Sequence, residues 1–339
     1  MADTDNTGPL RIGILSTANI GRHFIAGVKP SDKVKVVAVA SRDLASAQAF
    51  ADRHAIPRAL GSYDALLADP EVEAIYNPLP NSMHAEWTIR ALEAGKHVLC
   101  EKPIAVTAAD ARAMFAAAHS AGRCLVEAFP YRAQPQTHAV AELVHSGEIG
   151  LPKIIQAAFG FPVANPSNIR LDPGLGGGAL LDAGTYPVSL IRLLAGVKPI
   201  RVSAMATWTE SGVDATLIAN IEFPGGLLAQ AACSFGTGVY RRATIACEGG
   251  VVMTEYLNHL TAAAPGVVDI SRGGWDATNE TRRFEPLDGF RAEADSFADL
   301  VRGDPAGWTG IGEAESIEVM EMLEAIIASA AAHGAPVEL

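Results

Sequence analysis

The chain has 339 residues, 49% hydrophobic and 19% charged. That is more than one compact core usually spans and too apolar for disorder, so two domains are expected. A formal net charge of −12 disfavours nucleic acid and anionic membrane as main partners, yet leaves room for a local basic pocket that takes an anionic cofactor.

In chain order, Met1 to Pro9 is polar and lacks a basic start followed by an apolar run, so it reads as no signal peptide. No stretch reaches the apolar length of a membrane span, and a cytoplasmic location is expected. Residues 11 to about 126 then alternate short apolar runs with helical patterns, as a parallel α/β sheet does. Leu10–Leu15, Val34–Ala40, Ala74–Tyr76, His97–Cys100 and Arg123–Ala128 read as strands. Helices are expected from Ile20 to about Val28, Leu44 to about His54, Ala85 to Ala94 and Ala108 to Ala121. After Pro130 the rhythm changes. From about Lys153 to Thr254 come longer strand-like segments, such as Lys153–Phe159, Ile200–Thr207, Ala215–Phe223 and Leu227–Phe235, joined by turns such as Pro224-Gly-Gly226, a pattern of antiparallel sheet. A helix from Leu180 to Leu194 interrupts them, and helical periodicity returns at Gly289–Val301 and Glu313–Ala332. The resulting fold class is α/β, with residues 8–128 as a dinucleotide-binding domain and residues 129–339 as a substrate and oligomerisation domain. The cysteines Cys100, Cys124, Cys233 and Cys247 form no C-x-x-C pair, and no histidine stands at metal-ligand spacing, so no metal is expected.

Ser16, Thr17, Ala18, Asn19, Ile20 and Gly21 lie between the first strand and the first helix, where a dinucleotide-binding fold carries G-x-G-x-x-G. Ser16 and Ala18 replace the first two glycines, and Gly21 keeps the third. Both replacements are small, so the backbone still approaches a pyrophosphate, and the helix N-terminus presents its N–H groups to it. Alone this is a weak signal, since a strand–turn–helix without ligand looks the same. About twenty residues on, the second strand ends Ala40-Ser41-Arg42. An acid there would hold the ribose 2′-hydroxyl of NAD. A guanidinium suits a 2′-phosphate instead, so Ser41 and Arg42 favour NADP, with Asp43 keeping NAD possible and a solvated surface charge the alternative for Arg42.

Glu101-Lys102-Pro103 follows a strand end, and ligands of open α/β sheets sit beyond such ends. Lys102 there hydrogen-bonds a substrate hydroxyl, and Lys102–Pro103 is a candidate cis peptide. Pro80, Asn81 and His84 lie on a proline-held loop that faces the cofactor, unless His84 merely caps or packs a helix start. Gly176 to Gly178 lead into a helix on which Asp182 and Tyr186 share a face, four residues apart. A carboxylate and a phenol so placed position a hydroxyl and shuttle its proton, with the Lys102 cation assisting the phenol across the cleft. The plainer alternative has Asp182 capping and Tyr186 packing. Arg170 reaches substrate or cofactor, or pairs with Asp172.

Together and in this order, the loop at Ser16–Gly21, the run Pro78 to His84, Glu101-Lys102-Pro103, Glu127-Ala-Phe129 with Arg132, Gly176 to Tyr186, and Phe290 to Phe297 resemble the glucose–fructose oxidoreductase / inositol dehydrogenase (GFO/IDH/MocA) family over essentially the whole chain. Ser16-Thr-Ala18, Asn168 to Pro173 and Tyr186 look most like its dihydrodiol dehydrogenase and NADP-linked D-xylose dehydrogenase branch. The resemblance implies an N-terminal Rossmann domain and a C-terminal α/β domain on an open, mostly antiparallel sheet, one face of which makes a homodimer or homotetramer contact. It implies that Lys102, Asp182 and Tyr186 carry catalysis, that Glu101 and Lys102 also meet the cofactor, and that Tyr131 and Arg170 contact substrate. The activity implied is NADP(H)-dependent hydride transfer at a CH–OH group of a sugar, aldose or related cyclic diol. The alternatives are a non-catalytic dinucleotide-binding regulatory protein and an NAD-dependent sugar or inositol dehydrogenase.

Overall fold

The computed structural model describes residues 8–339, so Met1 to Thr7, on which the reading of no signal peptide largely rests, lie outside the described residues. The chain forms two compact units. The first comprises residues up to 104 with 109–133 and 287–313; the second comprises 105–108, 134–286 and 314–339.

In the first unit, the elements run β1 (Leu10–Leu15), α1 (Asn19–Val28), β2 (Val34–Ala40), α2 (Leu44–His54), β3 (Arg58–Leu60), α3 (Tyr63–Leu67), β4 (Ala74–Asn77), α4 (His84–Glu93), β5 (His97–Glu101), α5 (Ala108–Ala121) and β6 (Leu125–Ala128). The strands pair in parallel in the order β3-β2-β1-β4-β5-β6, a Rossmann sheet. The runs are continuously apolar because helices cover both faces: Ile12, Ile14, Val39, Tyr76 and Leu99 are all closed to water. Because every strand points the same way, the Ser16–Gly21 loop after β1 and Lys102 after β5 leave the sheet at its carboxyl edge.

The helix Gly289–Val301 belongs to this unit rather than to the second domain, where the expected division at residue 128 put it. Its Phe290, Ala294, Phe297 and Ala298 join the same buried cluster as Leu10, Ile12 and Phe24. Burying a phenylalanine contributes about 1.5–3 kcal/mol, which fixes the helix where its apolar face is covered.

The second unit adds α6 (Pro135–His145), β7 (Pro152–Gly160), α7 (Thr185–Ala195), β8 (Arg201–Trp208), β9 (Asp214–Glu222), β10 (Leu228–Ser234), β11 (Tyr240–Cys247), β12 (Gly250–Glu255), β13 (Gly266–Arg272), β14 (Thr278–Phe284), and, after the Gly289–Val301 helix (α8), α9 (Glu313–Ala331) and β15 (Val337–Glu338). Its nine strands run β14-β13-β12-β11-β7-β10-β9-β8-β15. Only the β7–β10 pair is parallel; every other pairing is antiparallel. Strands β13 and β14 lie beyond the segments read as strand from the sequence, which ended near Thr254.

Alternation along β9 shows why one face is open: Leu217, Ala219 and Ile221 are buried, while Ile218 and Asn220 are not. Helix α7 packs on β7 and β10. The registers bring Ile154, Met205, Ile218, Leu228 and Met253 to one common face, and all five are exposed. Among the described residues no helix is long and apolar enough to cross a membrane.

Candidate active site

Ser16 sits at φ +80°, the left-handed region that the first glycine of a dinucleotide loop supplies without strain. Two hydrogen bonds hold it there: its N–H donates to Ala40 O at 2.8 Å, and its Oγ accepts from Ala18 N at 3.2 Å. Ala18 is the N-cap of α1 and offers no side-chain cap to the first N–H groups of the helix. Asp43, the acid that kept NAD possible, caps a helix. Its carboxylate accepts Ser46 N at 2.8 Å as the cap of α2, and that backbone bond lowers its pKa. Arg42 beside it is exposed. A dinucleotide with a 2′-phosphate fits this donor set.

Three of the expected contacts are buried. His84 is fully buried, its Nδ1 2.8 Å from Pro103 O and its Nε2 2.8 Å from Leu79 O. Both ring nitrogens thus face main-chain carbonyls of neighbouring loops. Two carbonyls would favour a doubly protonated ring, but burial outweighs them and, with the Lys102 charge, pushes the His84 pKa down to about 4. Glu101 is also interior, accepting the Tyr76 hydroxyl at 2.5 Å. Tyr131 has no exposed surface and packs edge-on against Phe129 with ring centres 5.8 Å apart. Pro80 and Asn81, in contrast, stay half-buried at the carboxyl end of β4.

Lys102 is half-buried, directly after β5, and its bond to Pro103 is cis as the sequence led one to expect. Behind it, Glu127 accepts Ile104 N at 2.9 Å. Burial, and then the neighbouring Glu101 and Glu127, push the Glu293 carboxyl well above the usual range.

In the second unit the glycine run is dictated by backbone crowding. A Cβ on Gly177 would lie 2.5 Å from Arg170 O, and one on Gly178, at φ +118°, 2.3 Å from Asp214 Oδ1. The chain then makes a π turn over Leu180–Gly184 before α7 begins. Pro187 has no N–H to return to Ala183, as a regular α-helical ladder would require. The Asp182–Tyr186 spacing therefore crosses a wide turn and not one regular helix face.

Asp182 does not cap. It pairs with Arg170, Nε to Oδ2 at 2.5 Å, with 15% of its side chain exposed. Arg170 thus pairs with Asp182 and not with Asp172. Asp172 instead accepts Gly174 N at 2.8 Å.

Tyr186 is buried at 6% exposure, with Phe159 edge-on at 5.4 Å. Its Oη accepts from Asn258 Nδ2 at 3.2 Å, and the Arg241 guanidinium lies 3.9 Å from its ring centre. Neither Asn258 nor Arg241 was legible as a site residue. The β7–β11 register sets Arg241 opposite Phe159, and no local motif announces that pairing.

Among the described residues no group of three or more His, Cys, Asp or Glu could hold a metal. All four cysteines are free, and Cys100 and Cys233 are buried.

Residues 10–129 match the oxidoreductase family with an NAD-binding Rossmann fold, and residues 137–253 match the GFO/IDH/MocA C-terminal domain. The D-xylose 1-dehydrogenase (NADP(+)) 2 of Haloferax volcanii is 37% identical over 332 residues, 97% of this chain and 100% of the relative. The trans-1,2-dihydrobenzene-1,2-diol dehydrogenase of Mus musculus is 37% identical over 251 residues, 73% of this chain and 75% of the relative. Among solved structures, KijD10, a 3-ketoreductase from Actinomadura kijaniata in complex with NADP and TDP-benzene, superposes with a TM-score of 0.87 at 30% identity, covering 95% of this chain and 98% of that one. With both domains matched and similarity running nearly end to end, the chain belongs to the GFO/IDH/MocA family of oxidoreductases.

Proposed function

We propose that this protein is an NADP(H)-dependent oxidoreductase that moves a hydride to or from a CH–OH group of a sugar, aldose or related cyclic diol. The observation that carries the reading is the Tyr186 hydroxyl, held by Asn258 at 3.2 Å on the helix that follows the glycine run. A phenol so fixed serves as the acid or base that hydroxyl chemistry needs. The similarity to an NADP-linked D-xylose dehydrogenase supports the substrate class.

NADP, when bound, supplies the hydride acceptor or donor at its nicotinamide ring. The α1 start and Ser16 would hold its phosphates, and Arg42 its 2′-phosphate. Tyr186 takes the hydroxyl proton during oxidation and gives it back during reduction. Lys102, beyond the end of β5 in the first unit, supplies a cationic donor for a substrate oxygen. Asp182, braced by Arg170, orients a neighbouring hydroxyl.

Absorbance at 340 nm with NADP or NAD and a panel of aldoses, inositols, anhydro-sugars and vicinal diols tests this. Reduction of NADP by one compound class is the expected result. Silence across the panel, and with NADPH plus ketoses or dicarbonyls, despite measurable NADP binding, would favour a regulatory dinucleotide sensor.

The exposed row of Ile154, Met205, Ile218, Leu228 and Met253 supports a homodimer or homotetramer formed on the open sheet face. Light scattering on the eluted protein, giving the mass of one 35.4 kDa chain, would remove that part. A cytoplasmic location agrees with four free thiols.

A further inference from the structure

Asn258 stands between the proposed proton-transfer group and a buried cation. Its Oδ1 accepts from Arg241 Nη1 at 3.1 Å, and its Nδ2 donates to Tyr186 Oη at 3.2 Å. The direction of this chain follows from chemistry. A guanidinium has five N–H donors and no acceptor, so the amide end facing Arg241 must be the oxygen. The amide nitrogen is thereby turned to Tyr186. In that contact Oη accepts, and its own proton points away from Asn258.

Arg241 is itself held firmly. It is buried, opposite Phe159 in the β7–β11 register, with Phe159 4.9 Å and Tyr256 4.8 Å from its guanidinium carbon. The same carbon lies 3.9 Å from the Tyr186 ring centre, placing a cation over the phenol's π face. The backbone of Asn258 is pinned as well, its carbonyl accepting Gln134 Nε2 at 2.9 Å.

We propose that Arg241 and Asn258 are positioning residues that fix the Tyr186 hydroxyl in one polarity, accepting from Asn258 and turning its proton away from the amide for exchange with substrate. This rests on the reading of Tyr186 as the acid–base group. During reduction the Tyr186 O–H bond breaks and its proton goes to the substrate oxygen as the carbonyl carbon gains hydride. That bond's electron pair stays on Oη, beside the lone pair that accepts the Asn258 N–H and under the Arg241 charge. During oxidation the same pair takes the substrate hydroxyl proton. If the amide could flip, its oxygen would accept the Tyr186 proton and favour that unproductive orientation.

The test compares kcat, KM and NADPH affinity for Asn258→Asp, Arg241→Met, Arg241→Lys and Tyr186→Phe. Asn258→Asp keeps an acceptor for Arg241 but presents only acceptor oxygen to Tyr186, so kcat should fall about 100-fold with KM and NADPH affinity within about threefold. Arg241→Met frees the amide and should lower kcat about tenfold or more, while Arg241→Lys, also donor-only, should restore most of it. Unchanged kcat in Asn258→Asp, or a loss confined to KM, overturns the proposal. So does Arg241→Lys behaving no better than a folded Arg241→Met; should Arg241→Met fail to fold, Asn258→Asp decides alone. Full turnover in Tyr186→Phe would instead remove the acid–base reading on which the proposal stands.

Discussion

The Asp214 carboxylate accepts the backbone N–H of Leu180 at 2.7 Å, across 34 residues of chain. It caps the turn that carries Asp182 and leads to Tyr186, and it does so from β9 rather than from the helix's own sequence. Burial raises its pKa from 3.8 to about 6, against the N–H bonds from Leu180 and Ala179 that favour the charged form.

That shift has a sign in stability. Between about pH 4 and pH 6 the folded protein holds a proton at Asp214 that the unfolded chain has released, so folding weakens as pH rises through this window and levels off above it. A rise of roughly two units corresponds to about 3 kcal/mol in order of magnitude. Urea unfolding from pH 4 to pH 7 should show Asp214→Asn gaining on the parent protein by that order. A pH-independent difference between the two would contradict the assignment.

Gly178→Ala should be among the costliest single-methyl additions in the second unit. It combines φ +118° with a Cβ 2.3 Å from Asp214 Oδ1. A loss of more than about 2 kcal/mol, or no soluble protein, is expected. Gly212→Ala is the control, because φ is +91° there with nothing within 4 Å of the new methyl. It should cost only about 1 kcal/mol. Equal losses would mean that backbone strain alone matters and contact with Asp214 does not.

Arg42→Ala should weaken NADP binding about 10- to 100-fold and leave NAD within about twofold, since only the 2′-phosphate distinguishes them. Asp43→Ala removes a helix cap worth about 1 kcal/mol and should not change the preference. Titration of both variants with each dinucleotide decides; a parallel loss of NAD and NADP on Arg42→Ala would assign the arginine to general electrostatics.

Tyr186→Phe and Lys102→Ala should each lower turnover by about 10²- to 10⁴-fold while NADP affinity stays within about threefold. Stopped-flow hydride transfer with the substrate found by the panel, beside a binding isotherm, separates the two quantities. Equal loss of cofactor affinity in both variants would strip them of their proposed roles.

Much of the first unit is written locally. Val34–Ala40 and His97–Cys100 are apolar runs because a parallel strand is covered on both faces, and Ser16–Gly21 is recognisable because a phosphate-binding turn restricts side-chain size. Polar residues of the same loops also turn inward. His84, Glu101 and Tyr131 have the types and spacing of ligand contacts, but each is satisfied or packed by the protein itself.

What the sequence by itself determined is the family pattern: a dinucleotide turn, a lysine beyond a strand end, and a glycine run ahead of Asp182 and Tyr186. Only the tertiary structure decided who holds those groups. Arg170 pairs with Asp182, Asp214 caps Leu180, and Arg241 with Asn258 surrounds Tyr186, over separations of 12, 34 and up to 72 residues. The reason is physical. Periodicity and turn chemistry record interactions within a few residues, whereas the partner of a buried charge or phenol is fixed by strand register and packing, which local spacing does not encode.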